Sequence, residues 1–316
     1  MTSAMQATME RQPADLRGVS QDTARIGALA SRLRGKRRIL VTGTGTSWHA
    51  ANQGARFLQL AGLDARAVAS VDLATDGPAV GAADAVVALT HTGAKRYTGE
   101  ALDVARERGA VTVTVSAVGA AGADLETVAR ETSAAYSASH LGALFRMAQL
   151  AEALGADLGD LGAVPGAVEA ALAGDAPAVQ DPTRLLEFIG GGINQWTAAE
   201  AALKARETAY VATEGLGLEQ FLHGPSVALR ATDALVCFDG GGSWTERLTQ
   251  IADAAEQSGV PVTRISALDL GELLSVFALT VAAQRIALGL AELRGTNPDS
   301  FGRDVPGREP WAAIAL

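Results

Sequence analysis

Apolar residues fall into two patterns along this chain. Short β-branched and aliphatic runs end in glycine-rich turns, and longer segments between them repeat their apolar positions at helical spacing. Ile39-Leu-Val-Thr-Gly-Thr-Gly-Thr-Ser-Trp-His runs from an apolar strand through glycines into a helical pattern, and Leu186-Glu-Phe-Ile-Gly-Gly-Gly-Ile-Asn-Gln-Trp does the same in the second half. Each is followed by a second apolar strand, Asp84–Thr90 and Asp233–Asp239. Each half then shows an amphipathic helix ending in glycine and another β-branched strand, within Arg108–Val115 and Ser258–Ile265. Strands alternating with helices are βα units, which close into a parallel sheet with helices on both faces. The repeated order predicts a duplicated unit. The expected fold is therefore α/β, with two tandem doubly wound parallel-sheet domains.

The stretch Asp160–Thr183 is rich in Gly, Ala, Pro and Asp, including Val164-Pro-Gly and Asp175-Ala-Pro, and reads as loops around a short helix. It sets the expected boundaries: a leader over 1–22, domains over 23–165 and 166–296, and a tail over 297–316. The most apolar segment, Leu273–Leu293, is interrupted by Ser275, Thr280, Gln284 and Arg285, which predicts a buried helix rather than a membrane span. The N-terminus lacks the apolar stretch of a secretory signal. With 316 residues, 48% of them hydrophobic, the chain can bury the cores of two ordinary domains. A net charge of −9 leaves no basic footprint for nucleic acid. The single cysteine, Cys237, cannot form an intrachain disulfide, and the expected compartment is the cytoplasm.

In such sheets ligands bind outside the carboxyl ends of the strands, where glycine turns expose helix N-termini that favour anions. Two loops answer that description. One places Thr46 and Ser47 where a helix begins; the other offers Thr90, His91, Thr92 and Lys95. Ordinary helix capping is the alternative reading of these hydroxyls. A dinucleotide is not expected, because the full glycine fingerprint and its acidic partner are missing, and the Gly-Lys-Ser/Thr ending of a P-loop is absent. Four histidines and one cysteine show no ligand spacing, so neither a metal nor another cofactor is expected.

The helix predicted over Trp196–Tyr210 carries Glu200, Lys204 and Glu207 at i, i+4 and i+7, so all three share one face. An exposed salt-bridge face is one explanation. The other is chemistry: the chain has only three lysines, Lys36, Lys95 and Lys204, and two of them lie in segments already singled out. Lysine exchanges protons near neutrality when burial lowers its pKa, as arginine does not.

Together, Gly45-Thr-Ser-Trp-His-Ala, Thr90-His-Thr-Gly, the Glu200/Lys204/Glu207 helix and Leu222-His-Gly-Pro resemble the tandem sugar isomerase (SIS) family, including the isomerase half of glucosamine-6-phosphate synthase. Glu10-Arg-Gln-Pro-Ala-Asp-Leu-Arg resembles the leader preceding that double, flavodoxin-like domain. The resemblance implies that Ser47, Thr90, His91 and Thr92 line a sugar-phosphate pocket and that Ser139 touches the sugar. It implies Glu207 as the proton-shuttling base, Lys204 as the handler of a hydroxyl proton, Glu200 as the acid beside it, and His223 as a ring-opening group supplied by a neighbouring subunit, hence a homodimer. Such chemistry moves a proton between C1 and C2 through an enediol or enolamine, which a single carboxylate can serve.

Two departures refine this. The tail Asn297–Pro306 has no lysine, where the synthase has one that meets the sugar carbonyl, and it is more similar to the aminosugar-phosphate deaminases and aldose–ketose isomerases. Thr-His-Thr stands where the synthase has Ser-Gln-Ser, with Lys95 and Arg96 just beyond. The expected function is a hexose-6-phosphate isomerase or aminosugar-phosphate deaminase. The alternatives are a sugar-phosphate sensor without turnover, and the ammonia-dependent isomerase part of a synthase-like enzyme.

Overall fold

The computed structural model describes residues 2–314. It contains two sheets, both wholly parallel. The first is built from β1 (Arg38–Gly43), β2 (Ala65–Ala69), β3 (Asp84–Leu89), β4 (Val111–Ser116) and the short β5 (Leu125–Glu126), in the order β2-β1-β3-β4-β5. The second has β6 (Leu186–Gly190), β7 (Thr213–Gly217), β8 (Ala234–Asp239) and β9 (Val262–Ser266), in the order β7-β6-β8-β9. In both, the strand order reverses direction beside the first strand, between β1 and β3 and between β6 and β8. That reversal is the topological switch point where open α/β sheets bind ligands.

Strand residues alternate between the two faces of the sheet. Leu40, Val86 and Ala88 pack with Leu73, Ala101, Leu102 and Ala105 on one face of the first sheet. In the second, Phe188, Val236 and Phe238 pack with the helices Gln195–Ala209 and Gly271–Arg294, while Ile189, Leu235 and Cys237 pack with Leu218, Phe221, Leu248 and Ile251 on the opposite face. The Phe188 and Phe238 rings stack at 6.1 Å. The apolar helix Gly271–Arg294 is a core element here, its Leu279, Ala283, Ile286 and Leu290 buried in that first cluster, as its polar interruptions predict.

The chain divides into two compact units. One comprises Pro13–Glu131 and Ala138–Gly162 with the first sheet; the other comprises residues 2–12, Thr132–Ser137 and residues 163–314, with the second sheet. The predicted leader is part of a helix, Ala4–Gln21. Its first turn is capped by Asp299, whose carboxylate accepts the N–H groups of Ala4 (2.7 Å) and Met5 (2.9 Å).

The duplication extends to side chains at the amino ends of the strands. Asp84 opens β3 fully buried, accepting two hydrogen bonds from Arg37 (3.0 and 2.8 Å) and one from the Gly81 N–H (3.0 Å). Asp233 stands just before β8 in the same way, accepting from Arg184 and from the Arg230 N–H (2.8 Å). The Arg37 hydrogen bonds hold the Asp84 carboxyl below its ordinary value. The second sheet adds an acid without a counterpart in the first. Glu187 is buried in β6, paired in register with Glu214 of β7. Burial, followed by the neighbouring Glu214 and Asp233 carboxylates, pushes its pKa up to about 7 against the opposing pull of Arg184.

Folded Glu187 thus keeps a proton that the unfolded chain releases above 4.5, its ordinary value. Its contribution to stability is full below pH 4.5 and is lost as pH rises through about 7. Urea unfolding should show the parent losing about 3 kcal/mol relative to Glu187→Gln over that interval, at 1.36 kcal/mol per pKa unit. A difference between the two proteins that does not change with pH would refute the raised pKa.

Candidate functional site

The two loops nominated from sequence leave the carboxyl ends of β1 and β3, on either side of the first switch point. Gly43 is obligatory because a Cβ there would collide with the Ser47 backbone. Gly45, at φ 58°, makes the turn and stands at the N-cap of the helix Thr46–Leu60, a cap without a side chain. Thr46 and Ser47 stand inside the helix rather than at its N-cap, half-buried at the first turn. In the β3 loop, Thr90 is buried and its hydroxyl has no partner among the described residues. The Thr92 hydroxyl accepts the Ala94 N–H at 3.3 Å. Lys95 precedes the helix Arg96–Glu107 and forms no ion pair among the described residues, whereas Arg96 is engaged by Glu100 at 2.8 Å.

The structure draws the remaining first-unit candidate to these loops. Ser139 lies in the first turn of the helix Ala138–Ala153, and the next residue, His140, places its Nδ1 3.3 Å from the Thr46 carbonyl oxygen. The Ser139 N–H donates to Glu131 Oε1 at 2.7 Å, and the Glu131 N–H donates to His91 Nε2 at 2.9 Å. Thr46, His91 and Ser139 are thereby held in one network around the carboxyl edge of the sheet. Burial lowers the His91 pKa, and the nearby Arg130 adds to this against Glu131. Sequence reasoning missed Glu131, because its partners are distant along the chain.

The equivalent crevice of the second sheet is filled. A Cβ at Gly191 would collide with Trp244, and one at Gly240 with Ser275 and Asn194. Asn194 Nδ2 donates to Ser275 Oγ (2.9 Å) and its Oδ1 accepts from Thr197 (2.9 Å), which completes a buried polar network.

The second unit contributes a different asset on the helix Gln195–Ala209. Lys204 is 1% exposed, with its Nζ 2.5 Å from Glu207 Oε2 and 3.5 Å from Glu200 Oε1. Glu200 is fully buried and the Glu207 side chain is 14% exposed. The exposed salt-bridge alternative is overturned: two carboxylates flank a buried ammonium, and only Glu207 reaches the surface. Three charges out of water persist only when they compensate one another. His223 is not part of this cluster. It ends the short helix Leu218–Leu222 with its side chain 79% exposed, 3.6 Å from Glu219, which also pairs with Arg247 at 2.7 Å. Cys237 is buried in β8 and burial pushes its thiol up to about 12, which removes it as a nucleophile.

Comparison with known proteins agrees with this geometry. Residues 32–143, which hold β1 to β4 and both first-unit loops, match the SIS domain. Over 322 aligned residues, 87% of this chain, it is 28% identical to the glutamine–fructose-6-phosphate aminotransferase (isomerizing) of Thermococcus kodakarensis, covering 52% of that protein. The chain spans about half the length of the curated relatives it matches most fully. Two solved structures share the fold. Tagatose-6-phosphate ketose/aldose isomerase from Escherichia coli has a TM-score of 0.78 at 17% identity, with 95% of each chain covered. Glucosamine-6-phosphate deaminase from Thermotoga maritima has a TM-score of 0.76 at 18% identity, with 94% of this chain and 97% of that one covered. Residues 32–143 thus match the SIS domain, and the chain is similar over most of its length to part of the isomerizing glutamine–fructose-6-phosphate aminotransferases.

Proposed function

We propose that this chain is a hexose-6-phosphate aldose–ketose isomerase or aminosugar-phosphate deaminase. The observation that carries the reading is the buried Glu200–Lys204–Glu207 line, in which the one partly exposed member is a carboxylate hydrogen-bonded to an ammonium. Glu207 takes the C2 proton of an open-chain substrate and returns it to C1, while Lys204 supplies and recovers the hydroxyl proton. Glu200, 3.5 Å from the Lys204 Nζ, holds that side chain in place. For an aminosugar the same proton transfer gives an enolamine, then an imine, which water hydrolyses to the ketose with loss of ammonia.

Thr46, Ser47, Thr90, Thr92 and Lys95 take the phosphate, Ser139 takes the sugar, and His91 completes that pocket. The exposed side chain of His223 supports its use as the ring-opening group of a second copy, and so a homodimer. Both sheets then belong to a tandem pair of SIS-type domains over 23–165 and 166–296, with the leader and tail as given above. The natural setting is the cytoplasm, with a phosphorylated sugar as ligand and no nucleic-acid or membrane partner.

A thermal-shift screen against fructose 6-phosphate, tagatose 6-phosphate, glucosamine 6-phosphate and galactosamine 6-phosphate should give a rise in Tm with one of them, since ligands of the native state stabilise by mass action. For that sugar, Glu207→Gln should bind within a few-fold of the parent. It should lose roughly 10²–10⁴-fold in turnover and in exchange of the C1/C2 proton with deuterated solvent. A parent that binds the sugar and neither turns it over nor exchanges its proton would be a sensor. Glu200→Ala should cost about 3 kcal/mol in urea unfolding, because it leaves the buried ammonium with one of its two carboxylates; Glu207→Gln, at the partly exposed end, should cost less than Glu200→Ala.

A further inference from the structure

We propose that His91 is a positioning residue, its ring turned inward to hold the segment that carries Ser139, so that the β3 loop and Ser139 are set against each other before any ligand arrives. The proposal rests on the reading that these loops take a sugar phosphate. Its geometric basis is a chain of hydrogen bonds through groups that are 9% (His91), 7% (Glu131) and 7% (Ser139) exposed. The Glu131 N–H donates to His91 Nε2, and the Glu131 carboxylate accepts the Ser139 N–H. The His91 backbone is fixed as well, its carbonyl accepting from the Ala117 N–H (3.1 Å) and from Ser116 Oγ (3.2 Å).

Two consequences separate the roles of neighbouring groups. A ring nitrogen that accepts an N–H carries no proton, so His91 is neutral with its proton on Nδ1. A neutral imidazole offers no charge to a phosphate, which leaves the anion to the Thr90 hydroxyl, whose oxygen has no partner among the described residues, to Thr92 and to Lys95. The N-terminus of the helix Ala138–Ala153 already holds an anion, the Glu131 carboxylate. The Ser139 N–H is therefore taken, and the Ser139 side chain is left to meet an uncharged part of the ligand.

The test compares His91→Ala with His91→Gln, whose amide oxygen can occupy the place of Nε2 and accept the same N–H. Native-state exchange of the Glu131 and Ser139 amide protons should speed up about tenfold or more in His91→Ala and return toward the parent rate in His91→Gln, the effect of losing and regaining one hydrogen bond. The ¹⁵N signal of His91 Nε2 in the parent should be of the unprotonated type. Affinity for whichever phosphosugar raises the parent Tm should fall about tenfold in His91→Ala and recover in His91→Gln. Unchanged amide exchange in His91→Ala, a protonated Nε2, or equal loss of affinity in both variants would overturn the proposal. If no phosphosugar binds the parent, the functional reading fails, while the exchange and ¹⁵N measurements still decide the positioning role. Should His91→Ala not fold, Glu131→Ala carries the test: it keeps the N–H to His91 and should free only the Ser139 amide.

Discussion

Two parallel strands can be joined only by a crossover that returns the chain to the end where it started, and here, apart from the short link between β4 and β5, that return is made by helices. That constraint places the β1 and β3 loops. It gathers every strand-to-helix loop on one edge of each sheet and every helix-to-strand connection on the other. Reversal of strand order beside β1 then opens a gap between two of those loops. Residues as distant in sequence as Ser47 and Thr90 arrive at one crevice because their strands are neighbours in register, Arg38 with Asp84 through Thr42 with Ala88.

The same polarity sorts the charged groups. Structural acids sit at the amino edge. Asp84 and Asp233 each bind an arginine that precedes the first strand of its sheet, and each accepts the N–H of the residue three positions back. They hold the start of the third strand of each sheet against the first. Asp84 achieves this as a compensated carboxylate, whereas burial, and after it the neighbouring carboxylates, pushes the Glu187 pKa up. Guanidinium hydrogen bonds in one case and burial beside like charges in the other thus move two acids of similar chemistry in opposite directions.

Much of this was legible in the sequence, and the illegible parts share a cause. β1, β3, β6 and β8 are buried on both faces and read as continuous apolar runs. The edge strands β2, Ala-Arg-Ala-Val-Ala, and β7, Thr-Glu-Gly-Leu-Gly, are half exposed and built of small residues, so their pattern carried no strand signal. The spacing of Glu200, Lys204 and Glu207 put them on one helix face, because that is a local property of helices. It could not say whether the face meets water or protein, which is decided by residues far along the chain. Glu131 was invisible for the same reason: its meaning lies in the amide of Ser139 and the ring of His91.

The two crevices differ in how their polar groups are satisfied. At the second, Asn194, Ser275 and Thr197 hydrogen-bond to one another and Trp244 lies against Gly191, so a ligand entering there would have to break buried bonds and move an indole. At the first, the buried Thr90 hydroxyl has no partner among the described residues. A buried polar group left so costs about 1–3 kcal/mol, and a ligand oxygen that fills the gap recovers that amount on binding. The fold keeps an unmet hydrogen bond in one sheet and closes the matching position in the other. On the reading proposed above, that asymmetry favours the β1/β3 crevice as the anion-binding end.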